Sequence, residues 1–190
     1  KLIERKIKRN YTVVAIGGGI TQDISAFIAS ILYRGITWIF FPTTLLAQSD
    51  SCIGSKTSIN MGEYKNLLGN FYPPSKIYVD INFLETLSVE EIKSGIGEML
   101  HFFFVAGSEL AEKMMDSYDT ILETPKLLKD YIVASLGIKK KVIEIDEYDK
   151  KERNLFNYGH TFGHAIETIS NYSVPHGQAV TLGMEIANCL

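Results

Sequence analysis

Apolar and polar positions divide the chain into two kinds of segment. Tyr11–Ile16 (YTVVAI) is a short β-branched apolar run that stops at Gly17, Gly18 and Gly19, and the ITQDISAFIASILYRG after it carries apolar residues at helical spacing. That pattern predicts strand, glycine turn and helix. Thr37–Phe41 is strand-like again and ends at Pro42, so a β-α-β unit with a right-handed crossover and a parallel sheet is expected. Asp50–Asn70 is rich in Ser, Gly, Lys and Asn without periodicity and reads as a long functional loop. Lys76–Asp80 (KIYVD), between Pro73-Pro74 and the polar turn at Asn82, is expected as a third strand.

Beyond Leu87 the period changes. Ser88, with Glu91 three residues on, has the form of a capping box. Helical spacing then runs through about Phe104 and again over Glu109–Leu122, Pro125–Ile145, Thr161–Ser170 and Gln178–Leu190. The expected fold class is α/β, with a parallel-sheet part over residues 1–87 followed by an all-α part over residues 88–190. There is no internal repeat.

Composition narrows the partners. A net charge of −3 and a pI near 5.8 argue against nucleic acid, whose binders carry a basic excess, and leave a small molecule as the expected ligand. Cys52 and Cys189 lie far apart and form no CxxC motif, which fits a reducing cytoplasm. The longest apolar runs, such as Ile36–Phe41 and Phe102–Ala106, are well short of the ~18–20 residues that span a bilayer. No membrane association or export is expected. The opening Lys in place of Met points to a processed, recombinant or partial chain.

Chemistry concentrates late in the chain. Three of the four histidines, His160, His164 and His176, fall within Asn154–Gly177, and histidine is well suited to hold a divalent ion or move a proton near neutral pH. His160 and His164 are an i, i+4 pair that could share one metal, or a pair in a core or cap. Glu98 sits among Gly97, Met99 and Leu100, where a helix should be buried; a buried carboxylate needs a cation or a proton. Two histidines and one glutamate would make an open catalytic zinc site. The triple glycine could let a pyrophosphate approach a helix N-terminus or serve only as a tight turn. Asp50, Lys56, Lys65 and Asn66 share one loop that could bind phosphate or carboxylate oxygens or be merely solvated.

Several motifs in order resemble one family. GGG-x3-D (Gly17–Asp23), YRG (Tyr33–Gly35), PTTLLAQ-x-DS-x2-G-x-KT (Pro42–Thr57), KN-x2-G-x-FY-x-P (Lys65–Pro74), G-x-GE (Gly95–Glu98), DE (Asp146–Glu147), N-x-GHTFGHAIE (Asn157–Glu167) and HG (His176–Gly177) are similar to 3-dehydroquinate synthase, within the broader sugar-phosphate cyclases. The resemblance implies a Rossmann-like NAD-binding part, a helical metal and substrate domain, and a homodimer. It implies an NAD- and metal-dependent lyase, with zinc or cobalt, that converts 3-deoxy-D-arabino-heptulosonate 7-phosphate to 3-dehydroquinate and phosphate.

By position, the resemblance implies metal ligands at Glu98, His160 and His176, and it moves His164 to the substrate. Cofactor contacts fall on Gly17, Gly18, Gly19, Ile20, Thr21, Gln22, Asp23, Thr43, Thr44, Lys56, Lys65, Phe83, Leu84, Glu85 and Thr86. Substrate and catalytic positions fall on Asp50, Lys56, Asn66, Lys139, Arg153, Asn157 and His164, with Arg34 reaching a neighbouring subunit. Members of the family are longer, so a partial chain is expected. His101 stands where the family usually has lysine, and Gln22 where glycine is common. Those departures keep three alternatives open: a cyclase for another heptulose phosphate, a glycerol-dehydrogenase-like polyol oxidoreductase, and a silent NAD-binding module.

Overall fold

The computed structural model describes residues 4–190 except 63 and 108, and the side chain of Lys65 also lies outside the described residues. Strand β1 (Val13–Gly17) leads through the glycine turn into helix α1 (Gly19–Ile31), and β2 (Trp38–Pro42) returns alongside β1 in parallel register, Val13 opposite Trp38 and Gly17 opposite Pro42. The other edge of β2 carries β5 (Lys76–Ile77), also parallel. Trp38, Phe40 and Pro42 alternate inward along β2, and Trp38 and Phe40 form one apolar core with Ala15, Ala26, Ala29 and Ile36. Each large side chain fully buried there contributes about 1.5–3 kcal/mol.

The expected β-α-β order is present, with two corrections. The third strand is only two residues long, because Asp80 caps the short 3₁₀ helix Ile81–Thr86 by accepting from the Asn82 N–H at 2.9 Å. The segment expected as a long loop contains an antiparallel hairpin, β3 (Ile59–Met61) with β4 (Tyr64–Leu68), turned at Gly62, whose φ is +59°. Its apolar residues are largely exposed, so no alternation toward a core marks it in the sequence.

The helical part centres on α2 (Val89–Val105), whose Ser88 side chain accepts from the Glu91 N–H at 3.3 Å. The span expected as one helix over Glu109–Leu122 breaks into α3 (Leu110–Asp116) and α4 (Tyr118–Glu123) at Ser117, whose hydroxyl bonds back to the Lys113 carbonyl. Such back-bonding competes with the helix ladder. Helices α5 (Leu128–Ile145), α6 (His160–Ile169) and α7 (His176–Asn188) complete the chain. Ile92, Ile96, Met99, Phe103, Met114, Ile121 and Leu128 make a second core, and Leu136 of α5 packs against both cores.

Glycine sets how closely the site-bearing helices meet. A Cβ on Gly177 would lie 1.8 Å from the Ser94 carbonyl oxygen, and one on Gly97 would lie 2.3 Å from the Gly177 carbonyl oxygen. Only glycine at both positions lets the start of α7 touch the middle of α2. Glu98 and His176 are neighbours for that reason.

Candidate active site

Glu98 projects from the buried stretch of α2, with its side chain 5% exposed. His160 opens α6 directly after Gly159, whose left-handed φ of +78° turns the chain into the helix. His176 opens α7 after Pro175. The imidazole Nε2 of His160 lies 3.8 Å from Glu98 Oε1, and that of His176 lies 3.7 Å from Glu98 Oε2. These separations are too long for hydrogen bonds and leave the donors around one point: one ligand atom from each residue lies within 4.8 Å of the other two. Three such donors with an open side have the character of a catalytic divalent-metal site.

Electrostatics agree with that geometry. Glu98 Oε2 is buried without a hydrogen-bond partner. Burial, and then the charge of Asp50, holds the Glu98 carboxyl well above the usual carboxylate range, against the opposing pull of Lys139. Burial, and then neighbouring His176, pushes His160 down to about 4, so its imidazole is neutral and a ready ligand at neutral pH. His101 is wholly buried, one turn along α2, with Nδ1 3.8 Å from Glu98 Oε1. Burial, and then His160, pushes its ring to about 4 as well, and neither ring nitrogen has a hydrogen-bond partner. It packs among Phe102, Phe156 and Tyr158.

These donors open onto a cavity of about 310 Å³ lined also by Gln22, Asp23, Asp50, Lys56, Asn66, Lys139, Arg153, Asn157 and His164. Lys139 reaches it from α5, held by Asp50 through Oδ1 at 2.5 Å and the carbonyl at 3.0 Å. Lys56 is paired with Asp149. Arg153 is buried and donates to the Gly54 and Glu147 carbonyls at 3.1 and 2.7 Å. Asp146 accepts the backbone N–H groups of Lys150, Lys151 and Arg153, which hold its carboxyl below the usual range and shape the loop that delivers Arg153.

On the α/β side, Gln22 is buried and exchanges two hydrogen bonds with Ser51, at 2.6 and 2.8 Å. Asp23 accepts from the N–H and hydroxyl of Ser58, each at 3.0 Å, although burial keeps its carboxyl above its ordinary value. A Cβ on Gly18 would meet the Thr44 methyl at 2.8 Å, whereas Gly19 has nothing within 4 Å of that direction. Thr43 donates its N–H to the Gly17 carbonyl at 3.0 Å. The structure thus gathers Gly17–Asp23, Thr43 and Thr44 at one turn. Ile20, 79% exposed, lines a shallow depression beside Asp23 and Asn66.

Two family models divide the chain between them: 3-dehydroquinate synthase N-terminal matches residues 1–94, and 3-dehydroquinate synthase C-terminal matches residues 95–190. The chain belongs to the 3-dehydroquinate synthase family. A 3-dehydroquinate synthase from Clostridium tetani is 42% identical over 98% of this chain and 50% of the relative. Among solved structures, a 2-deoxy-scyllo-inosose synthase complexed with carbaglucose-6-phosphate, NAD+ and Co2+ is 32% identical with a TM-score of 0.85, over 99% of this chain and 53% of that one. A 2-epi-5-epi-valiolone synthase from Streptomyces hygroscopicus with NAD+ and Zn2+ bound is 26% identical with a TM-score of 0.84, over 96% of this chain and 52% of that one. The chain spans about half the length of the curated relatives it matches.

Arg34, which the 3-dehydroquinate synthase resemblance assigns to a neighbouring subunit's site, lies away from this cavity, as do Leu84 and Glu85 among the implied cofactor contacts. Arg34 is exposed beyond the end of α1, in a left-handed conformation with φ of +63°. Leu84 is buried in the helical core and Glu85 pairs with Lys126 at 2.6 Å, and neither lines the cavity. Sequence reasoning missed Asp149 and Glu167. Glu167 sits two turns after His160 and one after His164, a periodicity that could have flagged it, and its carboxylate is 3.3 Å from His176 and 4.0 Å from His164.

Proposed function

We propose that the protein to which this chain belongs is a 3-dehydroquinate synthase, an NAD- and metal-dependent lyase that converts 3-deoxy-D-arabino-heptulosonate 7-phosphate to 3-dehydroquinate and phosphate. The observation that carries the proposal is the convergence of Glu98, His160 and His176 on the same cavity as Lys56, Lys139 and Arg153, in a chain of this family. Residues 1–87 are the NAD-binding part and residues 88–190 the metal and substrate part.

The residues fit both groups. The orphaned Oε2 of Glu98 supplies a buried oxygen donor that a divalent ion, zinc or cobalt, would hold in its ionised form, beside two imidazoles. When bound, such an ion acidifies and polarises substrate oxygens. The first turn of α1 carries no acidic residue and its Gly18 N-cap makes no side-chain bond, leaving backbone N–H groups for the NAD pyrophosphate. NAD, when bound, supplies reversible oxidation of a ring hydroxyl. Lys56, Lys139 and Arg153 bind and orient the phosphate and carboxylate and stabilise the leaving phosphate. Asn66 and Asn157 present amides to hydroxyls, and His164, half exposed at the cavity wall, moves a proton. Phe102 and Phe156 line the cavity and help to exclude water.

The test is phosphate release from the heptulosonate phosphate by the longest natural form of the protein. Phosphate without net NADH accumulation is the expected result. Steady NADH production from a polyol would favour a dehydrogenase instead, and neither activity would favour a silent module. A panel of heptulose phosphates decides whether His101 redirects the substrate. The reading extends to a cytoplasmic homodimer, supported by two unpaired cysteines and by Arg34 standing exposed for a neighbouring subunit. Sedimentation of the natural form at twice the protomer mass is expected.

A further inference from the structure

His176 has a carboxylate near each ring nitrogen, and Glu167 makes the closer approach. Nε2 lies 3.7 Å from Glu98, beyond hydrogen-bond reach, while Nδ1 lies 3.3 Å from Glu167 Oε1. We infer that Glu167 is a positioning residue that accepts the Nδ1–H of His176 and so keeps the Nε2 lone pair directed at Glu98 and His160. A neutral imidazole carries one N–H and one lone pair, so the acceptor on one nitrogen decides which face of the ring can hold a metal. Carboxylates that do this orient the ring and raise its basicity.

The burial pattern supports the assignment. His176 is 32% exposed at the very start of α7, with nothing in its own helix to hold the ring. Glu167 is 8% exposed and anchored in the second half of α6. The buried carboxylate orients the more exposed ring. A rival role, in which Glu167 joins His164 and His176 around a second ion, would use Nδ1 of His176 as a ligand and draw on a half-exposed His164 at 4.0 Å. One ring would then serve two ions, and the single positioning hydrogen bond needs no such bridging imidazole.

This inference rests on the metal site proposed above, and the experiment separates the two. In the full-length natural protein, zinc affinity is measured by competition with a chromogenic chelator for the wild type, E167Q, E167L, H176A and E98Q. Exchange of the His176 Nδ1–H is followed by NMR in the zinc-loaded protein. E167L is expected to bind zinc about 10–100-fold more weakly and to exchange this proton fast. E167Q, which keeps an acceptor oxygen without the charge, should fall between E167L and wild type. If H176A and E98Q lose zinc while E167L keeps wild-type affinity and a protected proton, the Glu167 role is overturned and the metal site stands. If H176A and E98Q keep zinc, the metal site itself falls. Two zinc ions per chain, reduced to one in E167Q, would overturn the positioning role in favour of a second ligand set. Should E167L fail to fold, unchanged affinity and protection in E167Q overturn the inference alone.

Discussion

His160 and His164 look equivalent as an i, i+4 pair, but burial gives them different work. His160 is 14% exposed beside Glu98, whereas His164 is 51% exposed toward the cavity. Replacing His176 with Ala is therefore expected to weaken zinc binding by at least about 100-fold, measured by chelator competition, while H164A leaves it within about threefold and lowers turnover. His101 invites a second comparison. Its ring nitrogens make no hydrogen bond, lying among aromatic rings with Nδ1 3.8 Å from Glu98 Oε1, so H101F, which removes two buried polar atoms, should raise the melting temperature of the metal-free protein by a few degrees. A fall in melting temperature would show that those nitrogens are satisfied in solution.

At the scale of elements, the contact between α2 and α7 is the most exacting, since two glycines replace side chains where backbone meets backbone. G177A puts a methyl 1.8 Å from a carbonyl oxygen, and the helices can only separate. The expected cost is at the upper end of about 1–3 kcal/mol for overpacking, read by denaturant unfolding, and zinc affinity should fall with it because His176 moves with α7. The loop before α6 depends on Asp146 instead. Its carboxyl is held below the usual range by backbone N–H groups of Lys150, Lys151 and Arg153. A depressed carboxyl contributes stability that is present above its unfolded value, near 3.8, and lost as pH falls through its lower folded value. D146N should therefore be less stable than wild type at pH 7, with the difference shrinking as pH drops below 4 in thermal melts.

Across the whole molecule, a short segment after β2 joins the two parts. Ser135 donates to the Ser49 carbonyl at 2.9 Å, Lys139 to the Asp50 carbonyl at 3.0 Å and Arg153 to the Gly54 carbonyl at 3.1 Å. The wall of the cavity is thus also the seam of the fold. R153A removes the charge-assisted hydrogen bonds to the Gly54 and Glu147 carbonyls, of which Gly54 keeps the Lys56 N–H, at about 1.5–3 kcal/mol for the buried one. Faster amide exchange at residues 49–54 is expected, together with weaker binding of phosphate-bearing substrate. Wild-type exchange there would place the seam elsewhere.

The amino-acid sequence by itself determined the order of strand, glycine turn, helix and strand, the change to helices after Leu87, and the metal-site candidates Glu98, His160 and His176. The first two rest on local periodicity, and the metal-site candidates on motifs whose order resembles one family. The hairpin over Ile59–Leu68 was illegible because its residues face solvent and leave no alternating pattern. The break at Ser117 turns on one hydroxyl, and no periodicity marks it. Glu167 was passed over because its role depends on α7 folding back against α6. Only the tertiary structure decided which of three histidines faces which carboxylate, since the backbone contact at Gly97 and Gly177 brings together helices that are distant in the sequence.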